Sequence, residues 1–271
     1  MRQLIPAVGS AGADVGPGEL AELYAYPRLP WLRANMVASA DGAATLRGRS
    51  GGLSGEADRQ VFTLLRSLAD VIIVGAQTAR AEQYRPARPE SMRADLRAGR
   101  PAAPPVAVIS RRLDLDSQAH LFTAAPPQAR TIVITTGLAP DDRRAELEKH
   151  ADVIVAGAES VDFSAALAVL AARGHRRMLT EGGPHLLGQL TSAGLLDELC
   201  LTVSPLLAGP GAGRIVTGLG PGGAPAALPG SAGPEGRMPG MLLELAHVLE
   251  ADGFLLCRYI ARTENRQRTP G

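Results

Sequence analysis

Aromatic side chains are scarce in this chain, with one tryptophan, four tyrosines and four phenylalanines among 271 residues. The formal net charge is only +1, so there is neither a basic stripe nor a stacking platform of the kind nucleic-acid binders use. Long apolar runs are also missing. No stretch approaches the roughly 20 apolar residues of a membrane span, and Met1 to Gly12 has no apolar core of signal-peptide length. These absences argue against nucleic acid and membrane as partners and predict a cytoplasmic protein.

Cysteine is nearly absent. Cys200 and Cys257 each sit in an apolar run, Leu199-Cys200-Leu201 and Leu256-Cys257-Arg258, and neither has a Cys-x-x-Cys partner. They are expected to be small buried hydrophobes rather than a disulfide. The histidines, His120, His150, His175, His185 and His247, show neither His-Glu-x-x-His nor His-x-Glu spacing, so no metal site is expected and a zinc-dependent deaminase is excluded. No Gly-x-Gly-x-x-Gly follows the first strand and no Walker lysine motif is present, which sets aside the usual Rossmann arrangement and nucleoside triphosphatases.

What is present is an alternation of short Val/Ile/Leu runs with helical patterns. The runs Leu32 to Ala38, Val71 to Gly75, Pro105 to Ser110, Thr131 to Thr135, Val153 to Ala156, Arg177 to Thr180 and Leu199 to Ser204 predict a mostly parallel sheet buried on both faces under helices. Two longer runs, Met241 to Leu249 and Phe254 to Ile260, flank Glu250-Ala251-Asp252-Gly253 and predict a closing antiparallel hairpin. The expected organisation is an extension over residues 1–30 with little core, one α/β domain over 31–262 and a tail over 263–271. Within the domain, residues 218–240 are more than half Gly and Pro and predict a long loop, and Tyr84 to Pro105 predicts a second, Pro/Arg-rich one.

The stretch Leu179-Thr180-Glu181-Gly182-Gly183-Pro184-His185-Leu186-Leu187-Gly188 joins an apolar strand to an apolar helix through paired glycines. Glycines let a ligand approach the main chain, and free N–H groups at a helix start attract an anion; the same Gly-Gly-Pro is also an ordinary strand-to-helix turn. Two other strand ends carry anion-friendly residues: Gly75-Ala76-Gln77-Thr78, and Ser110-Arg111-Arg112, whose arginines suit a 2′-phosphate or simply solvent. Together the three strand ends outline a dinucleotide along one edge of the sheet.

Ser54 can cap the following helix, with Glu56 in its first turn. At about 100° per residue, Asp58 projects among Val61, Phe62 and Leu65, on the apolar face. A carboxylate there needs a partner or a function, such as proton donation or anchoring a polar heterocycle; the alternative is a partly solvated residue serving the helix dipole. The turn Ser39-Ala40-Asp41-Gly42 is open to a structural or a catalytic reading.

In combination these residues resemble the reductase domain of bacterial riboflavin biosynthesis, within the dihydrofolate-reductase-like fold. The resemblance runs from about Trp31 to Ile260 and rests on Ser39 to Gly42, the Ser50 to Arg66 segment ending Leu64-Leu65-Arg66, the strand to Gly75 followed by Thr78, and Thr180 to Pro184 with Gly194-Leu195-Leu196-Asp197-Glu198-Leu199. It implies a three-layer α/β/α architecture, with a mixed, mostly parallel central sheet and a C-terminal antiparallel hairpin. It also implies an NADPH-dependent reductase that converts the ribosylamino side chain of an aminouracil phosphate to ribitylamino.

By the same resemblance, Gly52, Gly75, Thr78, Glu82, Ser110, Arg111, Gly182, Gly183, Pro184, His185, Leu186 and Leu187 would border the cofactor. Ser50, Arg66 and Glu181 would face the substrate. Asp58 would grip the ring or help deliver a proton, and Asp41 would shape the loop over the nicotinamide. Two departures stand out: Gly51-Gly52 replaces an aromatic residue, and Glu82-Gln83-Tyr84 replaces an acidic pair followed by proline. These leave a different pyrimidine or a pterin as alternative substrates, and a non-catalytic cofactor-binding sensor as an alternative function. The fused deaminase half of the family is not recognisable, and the resemblance implies a homodimer.

Overall fold

The apolar runs of the sequence become strands, and the segments between them become helices. The structure is a computed structural model that describes residues 1–6, 13–218 and 241–262. The expected Gly/Pro-rich loop from residue 219 onward and the tail from 263 lie outside the described residues. In chain order the elements begin with β1 (Arg2–Ile5), β2 (Ala13–Asp14), α1 (Pro17–Leu23), β3 (Trp31–Ser39), α2 (Glu56–Leu68), β4 (Val71–Gly75), α3 (Ala76–Ala81) and β5 (Val106–Ile109). They continue with α4 (His120–Thr123), β6 (Ile132–Thr135), α5 (Asp141–Glu148), β7 (Asp152–Val155), α6 (Phe163–Ala172), β8 (Arg177–Thr180), α7 (Pro184–Ser192), β9 (Glu198–Ser204), β10 (Leu243–Ala251) and β11 (Phe254–Ala261). The fold is α/β, with parallel and antiparallel strands, and the foreseen strands are present to within a residue or two.

The chain forms two compact units, one of Met1–Ala25, Leu32–Val61 and Pro184–Gly271, the other of Tyr26–Trp31 and Phe62–Gly183. In the second unit the strands run in the order β8-β4-β5-β6-β7, all parallel. Parallel neighbours need a crossover, which the intervening helices supply, and helices on a sheet bury it. Accordingly Val71, Ile72, Ile73 and Val74 are all buried, as are Val106, Ala107 and Val108. Burial on both faces fails at β7, the last strand, where Asp152 and Val155 are exposed. The Pro/Arg-rich loop after α3 supports a helix end, since Arg97 donates to the carbonyls of Ser67 and Ala69 at 3.1 and 2.8 Å, and Arg100 to Leu68 at 2.9 Å. Those carbonyls end α2 and have no partner within it, so the two guanidiniums cap the helix.

In the first unit the order is β2-β1-β10-β11-β9-β3, antiparallel except where β3 lies parallel to β9. The Asp252-Gly253 hairpin forms as expected, with both residues at positive φ, 53° and 80°, the primed turn whose twist matches the strands it joins. Strand β9 corrects the expectation of two buried faces, because Glu198, Cys200, Thr202 and Ser204 are buried while Leu199, Leu201 and Val203 are half-buried. A strand alternates its side chains between faces, and here the more open face is also apolar.

The segment before Trp31 carries more core than its composition suggests. Strand β1 pairs with β10, so the terminal hairpin is not a free sheet edge, and Leu20 and Tyr24 are buried. Tyr24 meets His247 edge to face at 4.8 Å, and its carbonyl accepts from Arg33 at 2.8 Å. Beside it lies a buried charge cluster: Glu198 accepts from Arg33 Nη2 at 3.1 Å and from Arg258 Nε at 2.8 Å. Burial opposes ionisation of Glu198, yet the two guanidiniums hold its carboxyl below the usual range. Burial and nearby Arg258 push His247 down to about 4, and its Nε2 has no hydrogen-bond partner among the described residues. Both cysteines are free and buried, as expected.

Candidate active site

Parallel strands deliver their carboxyl ends to one edge of a sheet, and loops at that edge commonly hold ligands. In the second unit, β8, β4 and β5 are neighbours, with Ile73 opposite Thr180 and Gly75 opposite Ile109. Their ends therefore bring Glu181-Gly182-Gly183, Gly75 to Thr78 and Ser110-Arg111 side by side, as the sequence suggested. A 2.9 Å hydrogen bond from the Gly75 N–H to the Gly182 carbonyl ties two of them directly. Gly182 has φ 81°, which favours glycine, and the Gly182–Gly183 peptide is cis.

Gly183 lies against Thr78. A Cβ built on Gly183 would overlap the Thr78 hydroxyl, so the missing side chain answers to a neighbouring residue rather than to a ligand. Among the described residues neither the Thr78 hydroxyl nor the Gly183 N–H has a hydrogen-bond partner. Two open donors at a glycine turn suit a phosphate oxygen. Ser110 is buried at the end of β5, its N–H bonded to the Ile134 carbonyl at 2.9 Å, whereas Arg111 is exposed. Glu82 is half-buried at the end of α3, where its N–H donates to the Thr78 carbonyl at 2.9 Å.

The same unit holds Arg66 and Glu181 together. Arg66 is bidentate on Glu181, Nε to Oε1 and Nη2 to Oε2, both at 2.7 Å, and packs its guanidinium 4.2 Å from the Phe62 ring centroid. Although burial opposes it, Glu181 raises the Arg66 pKa, so the guanidinium stays charged. Tyr84 completes the group, donating to Glu181 Oε2 at 2.7 Å. Burial and adjacent Glu181 push the phenol well above its ordinary range. Sequence reading noted Tyr84 only as a departure from a proline. Its reach to a residue 97 positions along the chain has no local signature.

In the first unit, α2 opens on Gly55, whose carbonyl accepts from Arg59 at 3.0 Å, so Ser54 is not the cap expected of it. A Cβ on Gly55 would come within 2.5 Å of the Phe254 ring, so the helix entry rests directly on that ring. Asp58 is 6% exposed and, as its helical position predicted, shares a face with buried Val61 and Leu65, whereas Phe62, expected beside them, is half-buried. Its carboxylate makes no hydrogen bond or ion pair among the described residues. Ser50 is half-buried and precedes a short turn, Gly51–Leu53, in which Gly52 is exposed and only Leu53 is buried.

Asp41 has a defined role in this unit. Its carboxylate accepts from the Ser39 hydroxyl and from the backbone N–H groups of Ala208 and Gly209, at 3.1 and 2.9 Å for the latter two. These hydrogen bonds, that of Ser39 first, hold its carboxyl below the usual range and fasten the loop after β9. Pro184 opens α7; Leu186 and Leu187 point into the core while His185 is exposed. The leucine side chains are thus spent on packing, which leaves main-chain groups and the exposed His185 side chain as what that turn can offer a ligand.

The RibD C-terminal domain family model matches residues 30–227. The chain belongs to this family. It is 31% identical over 183 residues to a 2,5-diamino-6-ribosylamino-4(3H)-pyrimidinone 5′-phosphate reductase of Archaeoglobus fulgidus, covering 66% of this chain and 82% of that protein. Among solved structures it resembles a pyrimidine reductase-like protein from Corynebacterium diphtheriae, at 28% identity and a TM-score of 0.69 over 86% of this chain and 92% of the other. It also shares the fold of Acinetobacter baumannii RibD, at 19% identity and a TM-score of 0.63 over 87% of this chain and 59% of that one. Membership of the RibD C-terminal domain family agrees with the resemblance read from the Ser39–Gly42, Ser50–Arg66 and Thr180–Pro184 motifs.

Proposed function

We propose that this chain is an NADPH-dependent reductase acting on a ribosylaminopyrimidine phosphate and producing the ribitylamino compound. The observation that carries the reading is family membership: its relatives named pyrimidinone phosphate reductases match over about two thirds of the chain. The leading substrate is 5-amino-6-(5-phosphoribosylamino)uracil, and the diamino-pyrimidinone phosphate named for the relatives is the close comparison. NADPH, when bound, supplies the hydride.

The chain's own residues position the reactants and move a proton. The open Thr78 hydroxyl and Gly183 N–H, with Gly75 and Gly182 beside them, suit the pyrophosphate, and Ser110 with Arg111 suits a 2′-phosphate. Ser50, Arg66 and Glu181 are assigned to the substrate. Asp58 is assigned to the ring or to proton delivery, because it sits among buried apolar residues while its carboxylate makes no hydrogen bond among the described residues and is open to a ligand. Asp41 is assigned the loop and no proton transfer, since Ser39, Ala208 and Gly209 already engage its oxygens.

Asp58 also favours a second reading, reduction of a pterin such as dihydrofolate, whose ring offers N–H groups to a carboxylate. Following NADPH oxidation with the two pyrimidines and dihydrofolate in parallel decides between them. The proposal expects kcat/KM to favour a ribosylaminopyrimidine by orders of magnitude. Preference for dihydrofolate would select the second reading, and tight NADPH binding without turnover would select a sensor.

The same proposal includes a homodimer in the cytoplasm. No described helix is long and apolar enough to cross a membrane. Support for a second copy comes from the half-buried row Leu199, Leu201 and Val203 on β9, opposite Tyr259, Cys257 and Leu255 on β11.

A further inference from the structure

Among the described residues Glu181 accepts three hydrogen bonds, all from side chains. An ionised carboxylate offers about four acceptor positions, two on each oxygen. Oε2 accepts from Arg66 Nη2 and from the Tyr84 hydroxyl, while Oε1 accepts from Arg66 Nε alone. The phenol is itself well fixed. Gln83, at φ 52°, turns the chain sharply at the end of α3, and the Tyr84 N–H donates to the Ala79 carbonyl at 2.9 Å.

We propose that Tyr84 is a positioning residue that, together with Arg66, locks Glu181 and leaves a single acceptor on Oε1 for one N–H or O–H of the pyrimidine substrate. The inference deepens the proposed function and rests on it. It makes Glu181 a fixed anchor, because both of its oxygens already accept hydrogen bonds from Arg66 and Oε2 accepts a further one from Tyr84. It also gives the departure from proline at this position a purpose: proline has no hydroxyl to reach Glu181. Arg66 keeps its charge on one side through Glu181 and rests on Phe62 on the other, so Tyr84 is the member of the group that can be trimmed without breaking the ion pair.

Tyr84→Phe removes the hydroxyl and keeps the ring that lies 5.8 Å from the Arg66 guanidinium. The expected result is a KM for the pyrimidine raised about fivefold, as for one lost hydrogen bond that orders a binding group, with kcat and the NADPH Kd within about twofold of wild type. A wild-type KM in a variant that binds NADPH normally would overturn the inference, whether or not its Tm falls, because a merely structural hydroxyl changes stability and not KM. A second measurement reads the contact without catalysis. In protein labelled at the tyrosine ring carbon bearing the hydroxyl, the resonance missing from Tyr84→Phe should shift in Glu181→Gln; an unmoved resonance would show that the hydrogen bond does not exist. Failure of the wild-type chain to reduce any ribosylaminopyrimidine is a different result: it removes the proposed function, and the Tyr84–Glu181 contact is then still decided by the resonance.

Discussion

Asp58 is 6% exposed and its carboxylate makes no hydrogen bond among the described residues, so its oxygens are open to a ligand. Its assignment to the reaction predicts that Asp58→Asn lowers kcat by at least about 100-fold while the NADPH Kd changes less than about twofold. Stopped-flow absorbance for turnover and fluorescence titration for binding check this, and equal activity in the variant would make the carboxylate structural. His247 makes a prediction about stability. Its pKa falls from 6.5 unfolded to about 4 in the fold, so the fold favours the neutral ring. That contribution is fully present above about pH 6.5 and is lost as pH falls from there through about 4, at roughly 3 kcal/mol in all. Urea denaturation of wild type and His247→Asn across this range should give curves that converge toward the acid end. Parallel curves would show that Arg33, Glu198 and Arg258, which crowd the ring's surroundings, leave its titration unshifted.

At the scale of elements, the strand ends of the second unit make the Gly182-Gly183 turn depend on α3. Gly183→Ala brings a Cβ into the Thr78 hydroxyl and should lower both Tm and NADPH affinity. Adding Thr78→Ala removes the clash, so the double variant should recover Tm but not affinity, since the proposed phosphate donor is gone. Recovery of both in calorimetry would show that the hydroxyl has no part in binding. These elements were readable from the sequence because apolar runs such as Val71 to Val74 have only one way to be buried, and Asp-Gly has a strong turn preference. Strand β1 was not readable: four residues with Arg2 and Gln3 among them show no hydrophobic period, and only pairing with β10 makes them a strand. The site divides in the same manner. Asp58 was legible from helical spacing and the glycine turn from composition, but the contacts of Tyr84 with Glu181 and of Asp41 with Ala208 and Gly209 join distant parts of the chain.

For the whole molecule, β1 covers the edge of β10, so the surface proposed for a second copy is the open apolar face of β9 and β11. Sedimentation equilibrium should give a dimer for wild type and a monomer for Leu201→Arg with unchanged circular dichroism; a monomeric wild type would contradict the assignment. The central claim is the reaction. Its most direct test is the loss of NADPH absorbance when the purified chain is mixed with 5-amino-6-(5-phosphoribosylamino)uracil or its diamino-pyrimidinone counterpart. The account predicts stoichiometric oxidation of NADPH with formation of the ribitylamino product, and no oxidation with either pyrimidine would contradict it.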